Sequence, residues 1–306
     1  MHSSPPTPTA RSLILDLLST LRRGSMPVGA LVGAGALFGL AANNVRVSLA
    51  RLCAARLVER DERGRYRLGA AARAVDAHVT AWHDAVQRMR PWQPGDGWVA
   101  VQRAPAPARS RSARREEHAL QLLGFRALVP GLLVRPDNLA GGVGALRQNL
   151  RALGLRDTSP VFLAAAFDAP QQQRALSLWD AAAAQHARRA ALEALRRSRE
   201  RLDGMPVAQA MVESFCTGGE AIRTIARDPL LPDALIAVAP LRELIDEMDA
   251  YDRAGRARWA DFMASHGVHG RTSAPADLRM GAAAAALRAA APPHDTHTSA
   301  PEGVPQ

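Results

Sequence analysis

"FGLAANNVRVSLARLCAARLVERDERGRYRL" runs from Phe38 to Leu68. On a helical wheel Val45, Leu49, Leu52 and Arg56 fall on one side, separated by three or four residues. The opposite side carries Asn43, Arg46, Val47, Ala50 and Ala54, with Arg51 at its edge. Ala42-Asn43-Asn44 offers an N-cap for a helix from about Asn44 to Arg56. After it, "LVERDERGRYRLG" alternates around Gly64, the signal of a β-hairpin.

Working outward, "RSLILDLLSTL" (11–21) reads as an amphipathic helix with Leu13, Leu17, Leu18 and Leu21 on one stripe. "RGSMP" breaks it. Residues 28–38 make a second, short helix of small and apolar residues, and Gly39 stops it. Helix, helix, helix, hairpin is the order of a winged helix-turn-helix, placed here at 9–70. A helix that reads DNA needs an apolar side to hold it and a side of small residues and donors to enter the major groove. Arg binds guanine bidentately, and Asn does the same with adenine. The expected contact residues are therefore Asn43, Asn44, Arg46, Val47, Ala50 and Arg51. Arg60, Arg63, Arg65 and Arg67 of the hairpin suit phosphates or the minor groove. The competing reading is a solvated helix in an Arg-rich protein. "GAGALFG" (33–39) mimics a dinucleotide fingerprint but lacks a preceding strand and a following acidic residue.

Charge placement agrees with a nucleic-acid contact. The chain has 306 residues and a net charge of +10, and all 39 of its basic residues are Arg. Residues 1–70 hold ten Arg against four acids, whereas 171–270 hold 13 Arg against 14 acids. The basic excess sits with the proposed reading helix. Cys53 and Cys216 are far apart, which argues for a reducing compartment and against a zinc or disulfide framework. The opening residues lack a signal-peptide core. The uncharged stretch from Met26 to Val45 is too rich in Gly and Asn for a membrane span. A cytoplasmic protein with no membrane partner is expected.

Further along, 71–95 reads as a helical connector ending in "RPWQPGDG". Strand (98–104), helix (110–125), two strands around Pro130-Gly131, helix (138–155) and strand (159–167) give a ferredoxin-like βαββαβ domain at 96–168. Residues 171–268 read as a C-terminal helical domain, and the Ala/Pro-rich 269–306 as a disordered tail. The fold class expected is α+β.

Taken together, these residues resemble the PaaX family, transcriptional repressors of phenylacetic acid degradation. Phe38-Gly39, Val45-Arg46, Arg51-Leu52 and Gly64-Tyr66-Leu68 are similar to its N-terminal signature. "LQLLGFRALVPGLLVRPDNL" resembles its central domain, and "LWD" with "IRTIARDPLLPDAL" its C-terminal region. Ala50 departs from the Ser usual there. The resemblance implies a homodimer on a double-stranded DNA operator, released by an aryl acyl-CoA effector such as phenylacetyl-CoA. Such a pocket needs Arg for phosphates and an apolar slot. Arg114 and Arg115 in "RSRSARREEH", and Arg223 and Arg227 ahead of Asp228-Pro229, are the candidates.

No cofactor motif or nucleophile elbow is present. His78 and His83, five apart, miss the spacing of two ligands on one helix, so no metal site is expected. Two other functions stay open. One is a metal-dependent hydrolase or nuclease on the ferredoxin-like domain, with Asp96 as its only nearby acid. The other is a non-enzymatic dimeric interaction module built from helices 171–266.

Overall fold

The computed structural model describes residues 8–21, 24–105 and 110–268; the segment read as a disordered tail lies outside them. The chain is α+β, with ten α-helices and two small antiparallel sheets among the described residues.

Helix α1 (Ala10–Ser19) starts where Thr9 Oγ1 accepts the Ser12 amide at 3.2 Å. It is buried all round, against α2 (Val28–Leu37), α3 (Ala42–Ala54) and the hairpin that follows. Helix α2 is made almost wholly of Ala, Gly, Val and Leu because it must come close to α3. A Cβ on Gly35 would lie 2.7 Å from Val45 Cγ2, so only glycine permits that approach.

Helix α3 buries Val45, Leu49 and Leu52 as its spacing predicts. Both of its ends differ from expectation. Ala41, without a side-chain cap, precedes it, so Asn43 and Asn44 stand in the first turn instead of capping it. It stops at Ala54, which removes Arg56 from the apolar side. Arg56 takes φ +56°, its amide bonds Cys53 O at 2.9 Å, and the Leu57 amide bonds Leu52 O at 3.0 Å. This is a Schellman closure, with buried Leu57 in the place assigned to Arg56.

Strands β2 (Val58–Arg60) and β3 (Arg65–Leu68) form the hairpin. A further strand, β1 (Met26–Pro27), pairs Met26 with Tyr66 and completes a three-stranded sheet of order β1-β3-β2. Helix α4 (Ala70–Thr80) and a 3-10 turn (Ala81–Asp84) lead to the second sheet.

There β4 (Trp98–Gln102), α5 (Arg111–Leu122), β5 (Arg126–Val129), β6 (Leu132–Pro136), α6 (Gly142–Leu153) and β7 (Val161–Ala164) follow in turn. The sheet order is β5-β6-β4-β7, every neighbour antiparallel. Strand alternation splits β4 between two cores. Val99 and Val101 join Leu120, Leu146 and Leu150 from α5 and α6. Trp98 and Ala100 join Trp92, Trp179, Leu231 and Ile236 on the other face.

A short helix, α7 (Ala169–Leu176), precedes three long ones, α8 (Ala181–Leu202), α9 (Val207–Ala226) and α10 (Ala239–Ser265), which pack pairwise. This bundle also touches the N-terminal unit. Phe215 of α9 meets Phe38 edge-on at 5.3 Å between ring centroids, and both belong to one continuous apolar core from Leu13 to Met263.

Candidate nucleic-acid interface

The face of α3 turned away from α1 and α2 carries Asn43, Asn44, Arg46, Val47, Ala50, Arg51 and Ala54, all exposed. No acid stands anywhere on the helix. Val47, 40% exposed, is a β-branched apolar residue that the core does not use. The face is thus cationic at two positions, amide-bearing at two, apolar at Val47 and small at Ala50 and Ala54. Those are the groups that bind base edges in a major groove.

The hairpin's four arginines separate. Arg60, Arg63 and Arg67 are exposed, and Arg67 pairs with Glu59 at 3.3 Å. Arg65 turns inward instead. Its Nε donates to Ser25 Oγ at 3.0 Å, and its Nη2 donates to Ser25 O at 2.7 Å and Gly267 O at 3.2 Å. It ties the hairpin to β1 and to the end of α10 and is not part of the exposed face. The turn is held by Asp61, which accepts the Arg65 amide at 2.8 Å and the Arg63 amide at 3.0 Å. The Arg65 amide bond is the main cause that lowers the Asp61 carboxyl pKa.

The four effector candidates also separate. Arg114 lines an open cleft of about 860 Å³ with Gln102, Arg103, Glu117, His118 and Gly131. Arg115 instead donates from Nε to Leu153 O at 3.3 Å and lies against Gly154, where a Cβ would meet its Cγ at 2.6 Å. Arg223 pairs with Glu220 on its own helix at 2.6 Å. Arg227 is exposed at the end of α9.

Sequence spacing missed a junction that joins the central sheet to the bundle. Arg188 of α8 holds Asp228 bidentately, Nε to Oδ2 at 2.7 Å and Nη2 to Oδ1 at 2.9 Å, with both side chains buried. Asp228 Oδ1 also accepts the Leu230 amide at 2.9 Å. Leu230 O accepts Asn138 Nδ2 at 2.8 Å and Arg135 Nη2 at 3.3 Å. Trp179 Nε1 donates to Gly124 O at 3.0 Å. A Cβ on Gly124 would stand 2.8 Å from Pro229 O. The runs "LGF", "VRPDN", "LWD" and "RDPLLP" therefore meet in one place. Their signal was the density of Pro, Asp and Arg between apolar runs; the contacts themselves are too non-local to read.

The remaining polar candidates have structural partners. His78 Nε2 lies 3.1 Å from Ala226 O, and burial pushes its imidazole pKa down to about 4. His83 Nδ1 meets Asp249 Oδ1 at 2.8 Å. Asp96 Oδ2 accepts the Gln93 amide at 2.7 Å and closes the turn before β4. Among the described residues no group of three His, Cys, Asp or Glu could hold a metal ion, and no helix is long and apolar enough to cross a membrane.

No protein-family model matches the chain, and no curated protein does. A solved structure, of uncharacterized protein Rv0674 from Mycobacterium tuberculosis, is similar over 82% of this chain and 98% of that one. Its TM-score is 0.51 at 22% identity, a likeness of fold alone.

Proposed function

We propose that the chain is a DNA-binding transcriptional regulator of the PaaX type. In this reading residues 9–70 act as a winged helix-turn-helix and 96–168 as a ferredoxin-like domain. The observation that carries it is the division of α3. Val45, Leu49 and Leu52 are buried, while Asn43, Asn44, Arg46, Val47, Ala50 and Arg51 form an exposed face free of acids. A merely solvated helix has no need of an acid-free face of amides, guanidiniums and small residues; a groove lined with phosphates and base edges does.

Two copies then bind paired half-sites about a two-fold axis. The effector in this reading is an aryl acyl-CoA such as phenylacetyl-CoA. The cleft at Arg114 is the candidate place for its phosphates, and the contacts Phe38–Phe215 and Arg65–Gly267 are the candidate route to the DNA-binding unit. Binding of the purified protein to duplexes from its own upstream region tests the reading. Wild type should bind, and Arg46→Ala with Arg51→Ala should abolish preference among sequences. Sequence preference that survives the double substitution rejects α3 as the reading surface.

A further inference from the structure

Among the described residues of 9–70, Val47 is the only exposed large apolar side chain, and neither core cluster includes it. Elsewhere on its exposed side α3 places Ala where it places no charge or amide, at Ala50 and Ala54. Alanine is the better helix former, because the preceding turn restricts a β-branched side chain. A valine in an exposed helix interior therefore carries a small cost that no core contact offsets. The same restriction holds its two methyl groups in one fixed rotamer, so they are displayed without further loss of freedom.

Place on the helix decides what Val47 can meet. At about 100° per residue, Val47 and Ala54 fall nearly opposite the buried line of Val45, Leu49 and Leu52. Asn43 and Ala50 share that outer ridge, with Arg46 on one flank of it and Arg51 on the other. When α3 lies in a groove, Val47 is at its deepest point and the two guanidiniums face opposite walls. A valine side chain is short and reaches the floor only if the backbone comes close. Ala50 and Ala54, the next positions along the ridge, have nothing beyond Cβ to hold it off. An apolar knob between two cations is a poor match for an apolar protein surface, which would take water from both guanidiniums without pairing them. It matches a major groove, whose walls are phosphates and whose floor carries one apolar group, the 5-methyl of thymine.

We infer that Val47 selects thymine: its methyl groups pack on the 5-methyl of a thymine in the major groove, at the centre of the surface flanked by Arg46 and Arg51. This rests on the DNA-binding reading of α3 and deepens it, by giving a base to a position that carries no donor. Arg and Asn side chains distinguish guanine and adenine edges by hydrogen bonds, and Val47 adds a pyrimidine read by shape alone. The contact involves no charge, so it adds selectivity for T·A over C·G and leaves the salt dependence of binding to the arginines.

Removing that methyl from the DNA is the test. A duplex from the chain's own upstream region is prepared twice, once with thymidine and once with deoxyuridine, which pairs alike and lacks only the 5-methyl. Equilibrium binding of the full chain to both duplexes is measured at fixed salt for wild type and Val47→Ala. Wild type should bind the thymidine duplex about 3- to 10-fold more tightly, the gain from burying one or two methyl groups. Val47→Ala should bind the two duplexes alike, with the circular dichroism and the salt slope of wild type. Wild type that binds both duplexes equally overturns the thymine contact, and that result needs no variant to fold. A Val47→Ala protein that keeps the wild-type margin also overturns it, because the methyl is then read by another residue. Both failures leave α3 as a DNA-reading surface. A wild type that binds neither duplex fails the DNA-binding reading itself, and the thymine contact with it.

Discussion

Asp76 and His78 stand two residues apart on α4, and burial shifts them in opposite directions. Burial pushes the Asp76 carboxyl pKa up to about 6, against the bond it accepts from the Ser19 hydroxyl. The folded state then holds that proton more tightly than the unfolded chain. Its contribution is present below about pH 4 and is lost as pH rises through about 6. His78 is depressed to about 4, so its contribution is present above about pH 6.5 and is lost as pH falls through about 4. The two slopes oppose each other across the same window. Asp76→Asn should make stability rise with pH between these limits, and His78→Gln should make it fall, read by urea denaturation at each pH. Two mutants that both track wild type would contradict the shifts.

The ion pair Arg188–Asp228 belongs to the same scale. Asp228→Ala leaves a buried guanidinium without its partner and should cost about 3–5 kcal/mol of stability. A loss under about 1 kcal/mol would put the pair at the level of an exposed one. The sequence marks Asp228 by its Arg-Asp-Pro run, but not its function. Arg188 lies forty residues upstream in an ordinary amphipathic helix, and nothing local distinguishes it from the arginines beside it.

Among elements, α3 was legible because Val45, Leu49 and Leu52 repeat at helical spacing and each is buried. Its ends were not, because the Schellman closure depends on Leu57 finding a core place, a tertiary fact. Strand β1 was hidden for another reason: two residues, one of them proline, carry no alternation, and their partner Tyr66 is forty residues away. The same distance hid the inward turn of Arg65, whose partner Ser25 lies on the segment before β1. At the contact of α2 with α3, Gly35→Ala should cost about 1–3 kcal/mol, because Val45 must give way. If α3 reads DNA as proposed, the same variant should also weaken DNA binding by tilting that helix. Full stability and full affinity in that variant would mean that Val45 yields freely and that Gly35 does not set the position of α3. On the hairpin, Arg63→Ala and Arg67→Ala should weaken binding about equally on all sequences and each lower the salt slope by about 1.

Across the whole molecule, the chain has a basic, exposed end and a charge-balanced helical bundle that share one apolar core. In the proposed regulator, that continuity is the path by which a ligand on the distal part would reach residues 9–70 without a flexible linker. Phenylacetyl-CoA at about 100 times its dissociation constant should add roughly 2.7 kcal/mol of stability. A thermal shift with the thioester, absent with free CoA and with phenylacetate, is the expected pattern. No shift would leave the reading helix in place and remove this effector.

The exposed side of α3 is proposed to read DNA. Its most direct test is competition binding of wild type and of Arg46→Ala with Arg51→Ala to a duplex from the upstream region, against an unrelated duplex of equal length at fixed salt. Wild type should prefer the upstream duplex. That preference should fall about 10- to 100-fold for each arginine that contacts a base, with the fold unchanged by circular dichroism. Equal preference in wild type and the double variant would contradict α3 as the reading surface.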